Sequence, residues 1–341
     1  MNAIMDFIYS YRLDEIFKKM HILVFRARTP HVSRARIERM IKVYLAGREG
    51  STLRSYQSSF AKLAKLCREL KLSLFKLDEW ARCQLWTECR WLEMSASGIK
   101  GLSAVISLVR EVLGQPDDTS GRERVMKRGV IKASNLSKKK SKRKGATIGM
   151  VLGLVKEARR TGSKEDYRVA MMAVFCYFGV RRLADVREVR VMDVNRVEEH
   201  LEVFIRKHKT DTEGSGEYFT MVRKGKRFHI HDFLREYKAR LNIHGRDALF
   251  PAELRKKGKG KSVTYNVMYN SLEAMKARMD LDKSITWHSF RIGSASRGTS
   301  LGVSRNVVKR AGLWRSEAVD LYCREENAGV ILSHALVNDD E

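Results

Sequence analysis

The sequence predicts a mainly α-helical protein of two domains, the second an α+β domain with a small antiparallel sheet. Three observations lead there. The 341 residues suffice for two domains of ordinary size. Only 3 residues are proline and 23 are glycine, which favours helices over a turn-rich β protein. Apolar residues recur at helical spacing along most of the chain, and one stretch near residues 200–230 reads instead as two strands around a turn.

Residues 1–35 hold one amphipathic helix and then the basic, proline-interrupted RARTPHVSRAR, which reads as an arm or linker. The opening MNAIMDFIYSYRLDEIF carries acids early and no long apolar stretch, unlike a secretory signal. Residues 36–114 are helical throughout. In STLRSYQSSFAKLAKLCRELKL, Ser51 or Thr52 can cap the start, and Leu53, Tyr56, Phe60, Leu63, Leu66, Cys67 and Leu70 share one face. LDEWARCQLWTECRWLEM and SASGIKGLSAVISLVREVLG add two helices, separated near Ser95–Gly98. The outward faces of this small bundle carry Arg54, Lys62, Lys65, Lys71, Arg82, Arg90 and Lys100, of which Arg54, Lys62 and Lys65 are expected to bind DNA, as are the basic residues that close the next segment.

Residues 115–147 read as a basic linker. From Arg122 to Lys144 there are eleven Lys/Arg and one acid, Glu123, a local net of +10, ending in Lys138, Lys139, Lys140, Lys142, Arg143 and Lys144. Such a run is a nuclear-localisation signal or spacer, or a linker lying along a phosphate backbone, and the two do not exclude each other. Residues 148–341 form the mixed domain. Helices are expected at 148–161, 165–190, 232–241, 264–279, 288–301, 304–311 and 316–324. Strands are expected in HLEVFIRKHKTD and YFTMVRKGKRFHI, joined by TEGSGE.

Composition narrows the partner. Hydrophobic residues make up 43%, and the formal charge is +27. Such a charge favours a polyanion, because each Lys or Arg that neutralises a phosphate releases condensed counterions. Nucleic acid is the default partner and an anionic membrane the weaker one. The longest apolar run, Val169 to Val180, is shorter than the roughly 20 residues a span requires. Five cysteines, Cys67, Cys83, Cys89, Cys176 and Cys323, form no CxxC pair and read as reduced thiols of an intracellular protein.

Phosphate-competent groups occur in three places: Arg182 and Asp185 in CYFGVRRLADVREV, Lys209 in IRKHKTD, and His288, Arg291, Trp314 and Tyr322 in WHSFRIG…AGLWRSEAVDLYCR. Singly, each has an ordinary explanation as a solvated charge, an edge-strand lysine or a core aromatic. The ordered set carries the information. Arg…Lys…HxxR…Trp…Tyr resembles the tyrosine recombinases, the phage integrase family, in the Cre-like form with Trp at the second His position. The resemblance covers nearly the whole chain. RLADV matches the family's Arg–apolar–small–acid–apolar stretch and selects Arg182 over Arg181, with Asp185 as the supporting acid. The family's lysine lies on a turn between strands, which gives Lys209, with Lys207 as the alternative. Tyr322 lies eight positions after Trp314, where a spacing of nine is more usual in the family.

The resemblance implies a two-domain clamp on double-stranded DNA carrying a specific recognition site, a homotetramer across two sites, a Holliday junction, and neither metal nor other cofactor. It also implies roles. Arg182 and Arg291 hold the scissile phosphate bidentately. Tyr322 attacks, Lys209 is the general acid, and His288 is a base or a further donor. Trp314 offers only its indole N–H. Similar chemistry would also serve a type IB-like topoisomerase or hairpin resolvase, and a catalytically silent DNA-binding protein is the reading from another class. The segment after Tyr322 packs on its own domain or docks on a neighbouring subunit. The setting is intracellular, nuclear in a eukaryotic or viral context and cytoplasmic or nucleoid-bound otherwise.

Overall fold

The computed structural model describes residues 33, 35, 36, 39, 50–73, 76–113, 115, 119–136, 144–206, 208, 211, 214–223, 225, 228–254, 260–314, 317 and 319. Lys138, Lys139, Lys140, Lys142, Arg143, Lys207, Lys209 and Tyr322 lie outside them, as do Cys323, the segment after Tyr322 and nearly all of residues 1–35; of Arg54 only the backbone is described. The chain divides into two compact units, Met1–Ser141 and Lys142–Glu341. Among the described residues, no helix is long and apolar enough to cross a membrane.

The first unit contains α1 (Gly50–Glu69), α2 (Glu79–Trp91), α3 (Ala96–Leu113) and α4 (Gly121–Leu136). Helix α1 already includes Ser51 and Thr52, so neither is its N-cap. Asp78 caps α2, accepting from the Ala81 amide at 2.8 Å. Phe60, Leu63, Leu66 and Cys67 meet Leu85, Trp86, Ile99, Leu102 and Val105 in one core.

Helix α4 corrects the linker expectation over residues 121–136. It packs on α2 and α3 through a buried charge. Glu123 accepts from Arg82 Nε at 2.7 Å and from Trp86 Nε1 at 3.3 Å, while Arg82 Nη1 donates to the Leu77 carbonyl at 2.6 Å. Arg82 is therefore interior and not on an outward face. Lys62, Lys65, Lys71, Arg90 and Lys100 are exposed, as expected.

The second unit is built around α6 (Lys164–Phe178), whose residues Asp166 to Tyr177 are all buried. Against it pack α5 (Ile148–Thr161), α8 (Ile230–Leu241), α9 (Tyr265–Arg278) and α10 (Trp287–Ser300). The short helices are α7 (Leu183–Val186) and α11 (Arg305–Ala311). Thr147, Ser163, Thr264 and Ser304 cap α5, α6, α9 and α11 with side-chain oxygens. The helix expected over 165–190 stops at Phe178, because Gly179 caps it and Val180 turns left-handed at φ 55°.

The sheet has three antiparallel strands in the order β1 (Val194–Val197), β2 (His200–Ile205) and β3 (Glu217–Val222). Strands β2 and β3 match the sequence reading, with Leu201 opposite Met221 and Val203 opposite Phe219. Strand β1 was not anticipated: three of its four residues are exposed, so it shows no apolar alternation.

Candidate active site

The break after α6 separates two neighbouring arginines. Beyond Val180 the chain runs extended through Arg182 (φ −80°, ψ 148°), the N-cap of α7. Extended backbone sends successive side chains to opposite sides. Arg181 is 1% exposed, whereas the Arg182 side chain keeps 24% exposure. Asp185, one turn on, closes a capping box by accepting the Arg182 amide at 3.4 Å. Its Oδ2 lies 3.6 Å from Arg182 Nη1 and 4.0 Å from Arg291 Nη1. Residues 109 apart in sequence thus share one buried carboxylate.

Helix α10 delivers Arg291. Its first residue, Trp287, is buried and donates from Nε1 to the Met268 carbonyl at 2.9 Å. Next to it His288 is half-buried, one turn ahead of Arg291 and on the same helical face. Farther along, Gly293 meets the segment before α5. A Cβ there would sit 1.8 Å from the Ala146 carbonyl oxygen, so only glycine permits this approach. The Ala146 amide donates to the Ser289 carbonyl at 2.8 Å across the same contact.

The end of α11 completes the cluster. Leu313 adopts a left-handed φ of 54°, at a cost of about 1–2 kcal/mol for a residue with a Cβ. This allows the Trp314 amide to bond the Lys309 carbonyl at 3.0 Å and the Leu313 amide to bond the Arg310 carbonyl at 3.0 Å, the helix-ending pattern usually built on glycine. The Gly312 amide takes the Val308 carbonyl at 2.9 Å. The next two carbonyls are taken by arginines: Arg181 Nη2 donates to Ala311 O, and Arg291 Nη2 donates to Gly312 O at 2.8 Å. The turn folds the Trp314 ring over Gly312, where a Cβ would lie 1.7 Å from a ring carbon. The Arg291 guanidinium lies 3.9 Å from the Trp314 ring centre.

Two guanidinium groups therefore flank one carboxylate, and a third, that of Arg181, is buried at the adjoining turn. Burial pushes the Arg181 guanidinium down to about 10, with Asp185 and Glu217 opposing that shift. The surplus positive charge suits an anion with several acceptor oxygens.

The position of Lys209 falls in the connection between β2 and β3. Nearby, His208 is buried with Nε2 at 3.2 Å from Glu217 Oε2. Asp211 accepts the amides of Gly214 and Gly216 at 2.8 and 3.0 Å. The Gly216 amide, opposed by burial, holds the Asp211 carboxyl below its ordinary range. Of the basic residues assigned to DNA, Lys62 and Lys65 are exposed on α1, Lys65 lying 3.8 Å from Glu69. Lys144 pairs with Asp282 at 2.8 Å, which raises the lysine and lowers the acid. Arg305 and Lys309 both meet Glu317, Lys309 at 2.5 Å.

No family model and no curated protein sequence matches the chain. Solved structures do. The XerH site-specific recombinase bound to palindromic difH substrate, a post-cleavage complex, is 12% identical; 96% of this chain and 97% of that one superpose with a TM-score of 0.60. The Tn1549 transposon integrase in complex with transposon right end DNA is 10% identical over 94% and 99%, TM-score 0.53. A lambda integrase dimer bound to a COC′ core site is 14% identical over 89% and 85%, TM-score 0.50. The chain has the tyrosine recombinase fold. Within this recombinase fold, the structure brings together Arg182, Asp185, Arg291 and Trp314, and puts His288 one turn from Arg291. Sequence reasoning missed the contact of Arg181 with Ala311. Its partner is a main-chain carbonyl 130 positions away, which leaves no mark in residue types.

Proposed function

We propose that the protein is a site-specific DNA recombinase that cleaves and rejoins duplex DNA through a covalent 3′-phosphotyrosine. The observation that carries this reading is the convergence of Arg182 and Arg291 on Asp185, with Trp314 packed on Arg291, from segments far apart in sequence. Substrates of the similar solved proteins, difH DNA, transposon-end DNA and a core site, support duplex DNA as the partner.

The chemistry follows from the residues. Arg182 and Arg291 offer paired N–H donors to the non-bridging oxygens of a phosphodiester, where charge accumulates in the transition state. Asp185 keeps both guanidinia oriented. The Tyr322 oxygen attacks phosphorus as His288 takes its proton or donates to the phosphate. The P–O5′ bond breaks, and Lys209 protonates the departing 5′-oxygen, which leaves as a hydroxyl. Rejoining reverses these steps with a 5′-hydroxyl from the partner site, so the phosphate bond energy is kept. Trp314 packs against the Arg291 guanidinium and holds it in place. Exchange of one strand pair and then the other gives a Holliday junction within a homotetramer. Lys62, Lys65 and the basic residues 138–143 contribute backbone contacts, while Lys144 is paired with Asp282.

The test begins with selection of bound duplexes from a random pool. The protein is then incubated with a nicked version of the winning site. A covalent protein–DNA adduct is expected, lost in Tyr322→Phe while binding persists. Persistence of the adduct in that variant removes Tyr322 as nucleophile, and binding without any adduct removes the recombinase reading.

A further inference from the structure

Arg181 stands outside the set of residues that hold phosphate in the proposed reaction, yet it is the most deeply placed cation at the α6–α7 break. It is 1% exposed and turns to the side opposite Arg182, whose side chain keeps 24% exposure. Its Nη2 donates to the Ala311 carbonyl, and its guanidinium lies 4.7 Å from the Phe219 ring centre on β3. Its Nε and Nη1 find no hydrogen-bond partner among the described residues. Burying a guanidinium for one carbonyl and one ring is costly, and an apolar side chain of similar length would fill the volume more cheaply.

What the arginine uniquely supplies is a donor at the end of α11. The α11 turn satisfies the carbonyls of Val308, Lys309 and Arg310 through the amides of Gly312, Trp314 and Leu313, leaving those of Ala311 and Gly312. Arg291 takes Gly312 and Arg181 takes Ala311. Two adjacent carbonyls are thus gripped from two directions, one by an arginine of the site and one by its neighbour's neighbour in space. The turn they hold carries Trp314 and precedes Tyr322 by eight residues.

We propose that Arg181 is a positioning residue for strand cleavage: by holding the Ala311 carbonyl it fixes the Gly312–Trp314 turn against Arg291 and Arg182, and so sets where the chain toward Tyr322 leaves the site. The proposal rests on the recombinase reading. Misplacement of a reacting group by about 1 Å costs on the order of a hundredfold in rate, so a contact remote from phosphorus is sufficient.

The experiment compares the wild-type protein with Arg181→Met and Arg181→Lys on the selected nicked site. It measures DNA affinity, single-turnover adduct formation and thermal unfolding. Arg181→Met, which fills the volume without a donor, is expected to bind DNA within about twofold of wild type and to form adduct about a hundredfold more slowly. Arg181→Lys, which restores a cationic donor, is expected to recover part of the rate. Wild-type cleavage by Arg181→Met overturns the proposal. So does a proportional loss of affinity, stability and rate in both variants, which marks a residue that only holds the fold. The wild-type arm reports separately on the recombinase reading, since absence of adduct there fails that reading whatever the variants do.

Discussion

Arg182 and Arg291 share the Asp185 carboxylate, but they stand differently toward solvent. The Arg182 side chain is 24% exposed and the residue stands at the N-cap position of a four-residue helix, whereas Arg291 is 0% exposed and is held by the Gly312 carbonyl and the Trp314 ring. Alanine at the two positions should therefore separate chemistry from stability. Arg182→Ala is expected to abolish adduct formation while costing about 1–2 kcal/mol in a urea titration, because Arg182 keeps part of its contact with water and Asp185 retains Arg291 at 4.0 Å. Arg291→Ala removes a buried guanidinium and its contacts, and should cost about 3–5 kcal/mol as well as the activity. Equal stability losses would mean that the exposures do not govern the energetics. The closeness of Arg182 and Asp185 was legible in the sequence because RLADV keeps the acid one helical turn away, and the structure puts that acid 3.6 Å from Arg182. The placement of Arg181 was not legible, because it depends on where Val180 turns the chain.

Elements were legible where one face is apolar and illegible where charge is buried or a strand is exposed. Helices α1, α2 and α3 follow their periodicity, but α4 lies in a run of basic residues whose only acid is the buried one. That acid makes α4 testable. Glu123→Ala leaves Arg82 buried without its carboxylate and is expected to destabilise the first unit by about 3–5 kcal/mol, whereas replacing both partners by apolar residues of similar volume should recover most of the loss. Denaturant midpoints of the single and double variants decide it; a double variant no better than the single one would show that the pair is not the source of the cost. Strand β1 escaped because its side chains are mostly exposed. The β2–β3 connection offers a pH test. The Asp211 carboxyl is lowered chiefly by the Gly216 amide, against the effect of burial. Its folded value lies below the unfolded one, so its hold on the turn is complete above about pH 4 and is lost as pH falls through the lower folded value. A side-chain NMR titration is expected to place the midpoint below about 3.9, and a midpoint at or above that would remove the anchor. Asp211→Ala should slow adduct formation with DNA affinity kept, because the connection it ties down contains Lys209.

For the whole molecule, the net charge of +27 was the first pointer to a polyanion, but not every cation is available to one. Arg82 is committed to Glu123, Lys144 to Asp282, and Arg305 and Lys309 to Glu317. Counterion release counts only charges that meet phosphate, with a slope of log affinity against log salt of about −0.9 per contact on duplex DNA. Each cation that truly lies on the backbone should therefore reduce the slope by nearly one when removed, uniformly across DNA sequences. Replacing Lys138, Lys139, Lys140, Lys142 and Arg143 together by alanine is expected to flatten the slope by up to about four to five. Lys144→Ala is expected to leave the slope nearly unchanged, since in the structure its ammonium already lies 2.8 Å from a carboxylate. The measurement is fluorescence anisotropy on the selected duplex between about 50 and 200 mM salt, the range over which backbone contacts dominate. An unchanged slope in the five-residue variant would assign that run to spacing or localisation. A steep drop for Lys144→Ala would mean that its pair with Asp282 is exchanged for phosphate on binding, in which case Asp282→Asn should tighten DNA.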